Sequence, residues 1–374
     1  MTTIDDFAAS FGEEPGYLNF ASVGPPGRAV IDEESAQTGL LGRARFGTVD
    51  GLLDQDDRVR IAISAVAGIP FERVAFQPNT SSGLMHAMFG ISGGVAISPA
   101  EFPAVTYAAV RASEALGTIT PIWLESDHGR ITPGNLKSQL NKSVAAVAVS
   151  LVDFRTGYLA DLEGIRQVIG DRLLIVDAMQ GFGVVDAPYE LADIVVAGGQ
   201  KWVRAGWGTG MMALSERAAE TLVPVFSGFS ATESGELSLD AVLPPPSGVR
   251  AFQVSNPDFI AQARLAAALE EIARVGVPAI NASIAERVSQ MIELADEYAI
   301  AVVSPREFAE RAGIVVLEPP ADQLTVLTAS LFNHGVTTTT REGRVRLSPH
   351  VSTDEETLDM LRASFVSFAS AINV

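Results

Sequence analysis

Two short segments of this chain carry residue types that can do covalent chemistry with a carbonyl compound. The first reads Val176-Asp177-Ala178-Met179-Gln180, the second Gly198-Gly199-Gln200-Lys201-Trp202. Each follows or ends an apolar, β-branched run. Asp177 and Lys201 therefore fall at the C-terminal ends of neighbouring strands, where open α/β sheets place their ligands. A lysine amine beside an aldehyde forms an imine. A carboxylate opposite it can hold a pyridine nitrogen protonated, which makes such a ring a better electron sink. Gln180 stands three residues after Asp177, in position to donate to a ring hydroxyl. By residue type alone, a helix-capping aspartate and a solvated loop lysine explain the same letters.

Three further segments join this pair. Gln77-Pro78-Asn79-Thr80-Ser81-Ser82-Gly83 lies between a strand pattern and a helix pattern. Small hydroxyl residues at a helix N-terminus offer a phosphate both backbone and side-chain donors, although an ordinary helix cap looks the same. Phe102 and Pro103 follow a second strand, and Phe102 can lie against a planar ring or simply fill the core. Arg344 and Arg346 alternate on a strand and so share a face. One of them can clamp a carboxylate with two parallel hydrogen bonds, and salt-bridged surface arginines are the alternative. His350 has no identified partner and reads as structural.

The elements that position these residues follow from hydrophobic periodicity. Apolar runs at 73–76, 94–97, 144–151, 172–176, 193–197 and 210–214 alternate with helical patterns such as 103–116 and 159–169. Short, fully apolar strands separated by helices predict an α/β domain with a mainly parallel sheet covered on both faces. Residues 227–257, with Pro244-Pro245-Pro246, read as a long irregular connection. Helices follow at about 258–275 and 279–298. Strands at 314–317 and 344–347 then flank a helix near 324–334, and a last helix covers about 354–371. The expected division is an N-terminal segment 1–20, a large domain 21–245 and a smaller α+β domain 246–374. Loops 22–26 and 227–234 are the expected contacts to a substrate side chain.

Bulk properties exclude several functions. The chain of 374 residues has 47% hydrophobic residues, and its 26 basic against 45 acidic residues give a formal charge of −19. Such a surface repels phosphate backbones and anionic lipid, so nucleic-acid and membrane partners are not expected, while a local basic pocket remains open. The first sixteen residues have no apolar core of a signal peptide, and the apolar run at 144–149 is far too short to cross a bilayer. A cytoplasmic protein is expected. There is no cysteine, so disulfides and thiolate sites are excluded. No His pair stands at metal-ligand spacing, and Asp54-Gln55-Asp56-Asp57 lacks the glycine and glutamate of a calcium loop; no metal is expected.

In order and spacing, these segments resemble the class V aminotransferase superfamily of pyridoxal 5′-phosphate (PLP) enzymes. That group includes cysteine desulfurases, kynureninases, isopenicillin N epimerase-like proteins and transaminases. The resemblance runs from Tyr17 to the last helix. Its most specific parts are Asp177-Ala178-Met179-Gln180 with Gly199-Gln200-Lys201, and Arg346-Leu347-Ser348-Pro349-His350-Val351-Ser352-Thr353-Asp354-Glu355-Glu356. It implies fold type I, with a seven-stranded, mainly parallel sheet and a small C-terminal domain. It also implies a Schiff base on Lys201, which acts as the catalytic base. By the same resemblance Asp177 pairs with the pyridinium and Gln180 with the ring oxygen. Thr80, Ser81 and Gln200 would hold the phosphate, Phe102 would stack on the ring and Arg346 would bind the substrate carboxylate. Phe252 to Pro257, with Asn256, is similar to a segment that reaches the site from a partner subunit, which implies a homodimer with the site at its interface.

The chain also departs from family patterns. Desulfurases present a histidine where Phe102 stands and carry a reactive cysteine. Phe102-Pro103, Asp153-Phe154-Arg155-Thr156-Gly157 and Ser255-Asn256-Pro257 are similar to kynureninases, but Val105 replaces their aspartate and Gln200 their aromatic residue. Gly198 stands where a serine is common. The expectation is a class V aminotransferase acting on an α-amino acid and not a persulfide-forming cysteine desulfurase. A PLP-dependent lyase (kynureninase-like or C–S) or an epimerase is the alternative. A non-catalytic PLP-fold binding protein comes third.

Overall fold

The structure is a computed structural model that describes residues 2–127, 129–233 and 238–372. Its centre is a seven-stranded sheet of β1 (Val74–Phe76), β2 (Gly93–Ile97), β3 (Ile119–Trp123), β4 (Val144–Ser150), β5 (Leu173–Asp177), β6 (Ile194–Gly198) and β7 (Gly210–Leu214). The spatial order is β1-β7-β6-β5-β4-β2-β3. Strands β3, β2, β4, β5 and β6 run parallel, and β7 is antiparallel to both β6 and β1. Successive residues of β5 enter opposite cores: Leu174 and Val176 one, Leu173 and Ile175 the other. Burial on both faces is why these strands read as continuous apolar runs rather than alternating ones.

Six strands lie where the hydrophobic runs predict them. The seventh, β3, has no such signal, because its sequence Ile-Thr-Pro-Ile-Trp contains Pro121 and leaves Trp123 half exposed. Proline is tolerated there because β3 is an edge strand with no neighbour on its outer side. Helices Arg28–Arg43 and Gln55–Ala67, also unanticipated, pack on the long helix Phe259–Val275. Of the loop 227–234 expected near the substrate, Ser234 lies outside the described residues.

The C-terminal part holds an antiparallel sheet of β8 (Val315–Leu317), β9 (Thr339–Arg341) and β10 (Arg344–Leu347), in the order β8-β10-β9. Strand β9 is only three residues long, Thr-Thr-Arg, with no apolar residue to announce it. It joins β10 through a turn in which Glu342 and Gly343 both have positive φ, 49° and 80°. That left-handed pair matches the twist of a tight hairpin. The N-terminal segment docks beside this sheet: Leu18 N–H donates to the Thr337 carbonyl at 3.0 Å, and Ser348 N–H donates to the Leu18 carbonyl at 2.8 Å.

Arg204 ties the N-terminal segment to the loop after β6. Its guanidinium, 1% exposed, pairs with Glu13, donates to the Pro25 carbonyl at 2.6 Å and to Ser352 Oγ at 2.9 Å, and lies 3.6 Å from the Phe11 ring centroid. Its φ of 61° is unusual for a side-chain-bearing residue and is held by these contacts. His350 stacks on Phe20, accepts from Arg204 at Nδ1 and donates from Nε2 to the Trp202 carbonyl, so it is a neutral structural residue. Removing one partner of a buried ion pair leaves a charge without compensation, at a cost of about 3–5 kcal/mol. Glu13→Gln is therefore expected to lower the thermal midpoint by several degrees, measured by circular dichroism. An unchanged midpoint would show that the Arg204 cluster does not hold the two segments together.

Candidate active site

Strands β5 and β6 are adjacent and parallel, so the residues that follow them share one crevice. Asp177 ends β5, 5% exposed, level with Ser150 of β4 and Val196 of β6. Its Oδ1 accepts from Met179 N–H at 2.9 Å. Lys201 lies three residues beyond β6 and borders the same slot, with Phe102, Ser150, Phe154 and Gln180. The Lys201 Nζ is 5.5 Å from the Phe102 ring centroid, and Phe154 meets Phe102 edge-on at 5.1 Å. Burial pushes the Asp177 carboxyl up to about 6, against the pull of Lys201. Burial also lowers the Lys201 ammonium to about 8. Asp177 opposes that shift, and Arg346 and Arg341 add to it.

Helix Thr80–Gly90 begins beside Met179, which borders the slot. Asn79 caps it through Ser82 N–H, which leaves the backbone amides of Thr80 and Ser81 for an anion. Thr80 is buried and its Oγ1 donates to Met179 Sδ, while Ser81 is exposed on the first turn. A Cβ added at Gly198 would stand 2.6 Å from Gln200 Oε1 and 2.9 Å from Thr80 Oγ1. Thr80 and Gln200 thus converge over Gly198, and a serine there would fill the cradle they form.

Gln180 is held at both ends. Trp202 Nε1–H donates to its Oε1 at 2.8 Å, and its Nε2 donates to the Ala21 carbonyl at 3.1 Å. The indole bond fixes which end of the amide is the oxygen, and one N–H of the amide remains for another acceptor. Behind the loop, Gly24 N–H donates to the Gln200 carbonyl, and a Cβ at Gly24 would lie 2.0 Å from the Lys201 carbonyl. Only glycine permits that approach.

The small sheet closes the other side. Arg346, 8% exposed, donates from Nη1 to the Phe154 carbonyl at 3.1 Å and from Nη2 to Ser22 Oγ at 2.7 Å. Its buried Nε has no hydrogen-bond partner. Burial and the nearby Arg341 lower its guanidinium to about 10. The structure separates the two arginines that the sequence left as alternatives: Arg344 pairs with Glu318 at 2.7 Å, whereas Arg346 has no carboxylate partner and borders the cavity beside Phe102 and Phe154. A cavity of about 360 Å³ opens between Arg346 and Arg341 on the small sheet and Phe102 and Phe154, which follow β2 and β4 of the seven-stranded sheet.

Glu101 was not anticipated. Its carboxylate accepts from Ser150 N–H at 3.1 Å and from Ser150 Oγ, and burial with the repulsion of Asp177 and Asp153 raises it to about 7. Its significance depends on Ser150, forty-nine positions away, so its immediate neighbours carry no signal. Thr339 was not anticipated either; its hydroxyl lies 3.0 Å from that of Ser22, which belongs to the expected loop 22–26 and accepts from Arg346. Asn256 is exposed and borders neither hollow in this chain.

This arrangement fits PLP on its own observations: a buried carboxylate beside an amine of depressed basicity, an aromatic side wall, and hydroxyls at a helix N-terminus. Comparison with known proteins agrees. The sequence pattern of the family described as "Aminotransferase class-V" matches residues 57–374. A kynureninase from Deinococcus radiodurans is 26% identical over 75% of this chain and 69% of its own length. A protein of Pyrococcus abyssi named "Probable cysteine desulfurase" is 23% identical over 67% of this chain, which spans 64% of that relative's length. Among solved structures, the cystine C-S lyase C-DES, in complex with its reaction product cysteine persulfide, superposes with a TM-score of 0.83 at 18% identity. The superposition covers 94% of this chain and 97% of C-DES, which has also been solved with glycine covalently linked to its PLP cofactor.

These relatives correct one expectation. The residues alone favour an aminotransferase and, for want of a cysteine, argue against a persulfide-forming cysteine desulfurase. The matched relatives are a kynureninase and a protein named for cysteine desulfurization. The persulfide of C-DES is borne by its product. The absence of cysteine in this chain is therefore no ground for excluding chemistry at a C–S bond. With the pattern continuous from residue 57 to the C-terminus over a fold type I architecture, the chain belongs to the class V aminotransferase family, whose cofactor is pyridoxal 5′-phosphate.

Proposed function

We propose that this chain is a PLP-dependent lyase that takes an α-amino acid at Arg346 and breaks a bond to a group on its β-carbon. The observation that carries the reading is buried Asp177 with the Lys201 amine of lowered basicity in one slot, whose Phe102 and Phe154 walls also border the cavity of Arg346, a guanidinium with one unpartnered nitrogen. Its relation to proteins named kynureninase, cysteine desulfurase and cystine C-S lyase supports cleavage at the side chain.

When bound, PLP supplies an electron sink for the pair left at the substrate Cα. The chain's own residues do the rest. Arg346 fixes the α-carboxylate through Nε and a terminal nitrogen and so sets which Cα bond faces Lys201. Lys201, with its basicity lowered by burial, is partly neutral near pH 7 to 8 and takes the Cα proton on Nζ. Asp177 holds the ring nitrogen, Gln180 offers its free N–H to the ring oxygen, and Phe102 covers the ring. Thr80, Ser81 and Gln200 hold the phosphate. Glu101, joined to Ser150 behind the slot, keeps a proton near Asp177 and limits the negative charge buried there.

The reading extends to a cytoplasmic homodimer in which the 252–257 segment, anchored by buried Phe252 and exposed at 254–256 with Asn256, reaches the neighbouring subunit's site. The acidic charge and the absence of a membrane-spanning helix among the described residues support it. Val254 is also 56% exposed, as an interface residue would be in a lone chain.

Three measurements test this function. The holoprotein should show a visible absorption band that borohydride abolishes. Lys201→Ala should lose covalent attachment, and its turnover should fall by at least about 10²–10⁴-fold. A product screen should find side-chain cleavage without any keto-acid acceptor, whereas strict dependence on an acceptor would turn the assignment to transamination. Uptake of PLP by the apoprotein needs the neutral amine, so its rate should rise with pH through about 8. Asp177 stabilises the ammonium, so Asp177→Asn should move that midpoint lower. A midpoint near the ordinary lysine value would contradict the buried pair.

A further inference from the structure

The cavity beside Arg346 holds more positive charge than an α-carboxylate needs. On β10, Arg344 and Arg346 share a face. The register sets Arg341 of β9 opposite Arg344 and Thr339 opposite Arg346, so all four side chains border the cavity. Arg155 enters from the large domain, with its guanidinium 5.3 Å from the Phe154 ring centroid. Arg344 is neutralised by Glu318. The remaining guanidinium groups of Arg155, Arg341 and Arg346 meet one acidic side chain in the cavity wall, Glu342. Two positive charges stay in excess.

That excess is local, in a chain whose formal charge is −19, so it does not follow from overall composition. Nor does it serve the cofactor phosphate at its proposed cradle, because Thr80, Ser81 and Gln200 do not border this cavity. Arg341 acts on the reacting groups at a distance: it lowers the basicity of both Arg346 and Lys201. A substrate that brought only one negative charge would satisfy Arg346 and leave Arg341 and Arg155 facing Glu342 alone.

We infer that the amino acid taken by this site carries a second anionic group on its side chain, held by Arg341 with Arg155 beside it. This rests on the proposed PLP function and narrows its substrate class to acidic amino acids. Arg346 orients the α-carboxylate, while Arg341, at the hairpin end of β9, selects the side chain.

The test is a titration of holoenzyme with L-aspartate and L-glutamate against their isosteric amides L-asparagine and L-glutamine, read from the shift of the cofactor absorption band. The acids should bind about fivefold or more tightly, the ratio expected for one partly exposed charge pair. Added salt should shrink that ratio. Arg341→Gln should bring the ratio towards one, and Arg341→Lys should retain most of it. Equal binding of acids and amides by the parent protein overturns the inference, as does a loss in Arg341→Gln that is the same for both. If the protein shows a cofactor band that no amino acid perturbs, the amino-acid function itself falls, and the inference falls with it.

Discussion

The structure depends on two opposite charges brought into one slot at the ends of adjacent parallel strands, Asp177 buried and Lys201 partly so. Asp177 and Lys201 are unfavourable to bury singly, and each shifts towards its neutral form in the slot. What keeps them there is the sheet: β5 and β6 are buried on both faces, so their ends cannot splay to let water in. Glycines behind the lysine loop let backbone pack against backbone at Gly24 and leave room for Thr80 and Gln200 above Gly198. Reactive groups of shifted basicity are then held in place mainly by the packed sheet, with one backbone hydrogen bond, from Met179 N–H to Asp177, beside it.

A second buried charge stabilises the frame around the first. Arg204, three residues after Lys201, reaches Glu13, Pro25 and Ser352, and so joins the N-terminal segment, the lysine loop and the C-terminal part. It does not face the slot; His350 and Phe20 lie against it. The chain therefore places one cation where it can react and another close by in sequence where it only holds segments together. Partners make the difference: Arg204 has a carboxylate, carbonyls and aromatic faces around it, whereas Arg346 keeps a nitrogen unpaired.

The C-terminal part contributes sign as well as shape. Its three-stranded sheet turns one face to the cavity, and the short hairpin between β9 and β10 brings Arg341 and Arg344 level with each other. Pairing of Arg344 with Glu318 removes one of those charges from play and leaves Arg341 beside Arg346. Electrostatic selection of this kind depends on which charges remain uncompensated, not on how many arginines the strand carries.

Much of this was legible in the residues themselves. Fully apolar runs at β4, β5 and β6 determine a sheet covered on both faces, because no other environment suits unbroken Val, Ile and Leu segments. The order and spacing of Asp177, Gln180, Lys201 and Arg346 carried the family resemblance that the family pattern then established. The edge strand β3 and the short β9 were not legible, since a proline and a run of threonines give no apolar signal. Glu101 with Ser150, Glu13 with Arg204 and Ser22 with Arg346 were beyond reach as well. Those partners are 49, 191 and 324 positions apart, and no local periodicity encodes such contacts. The sequence by itself thus determined the chemistry at the strand ends. Tertiary structure alone decided which arginine is free, which is neutralised and which is a strut, because the state of a charge is set by what folding brings beside it.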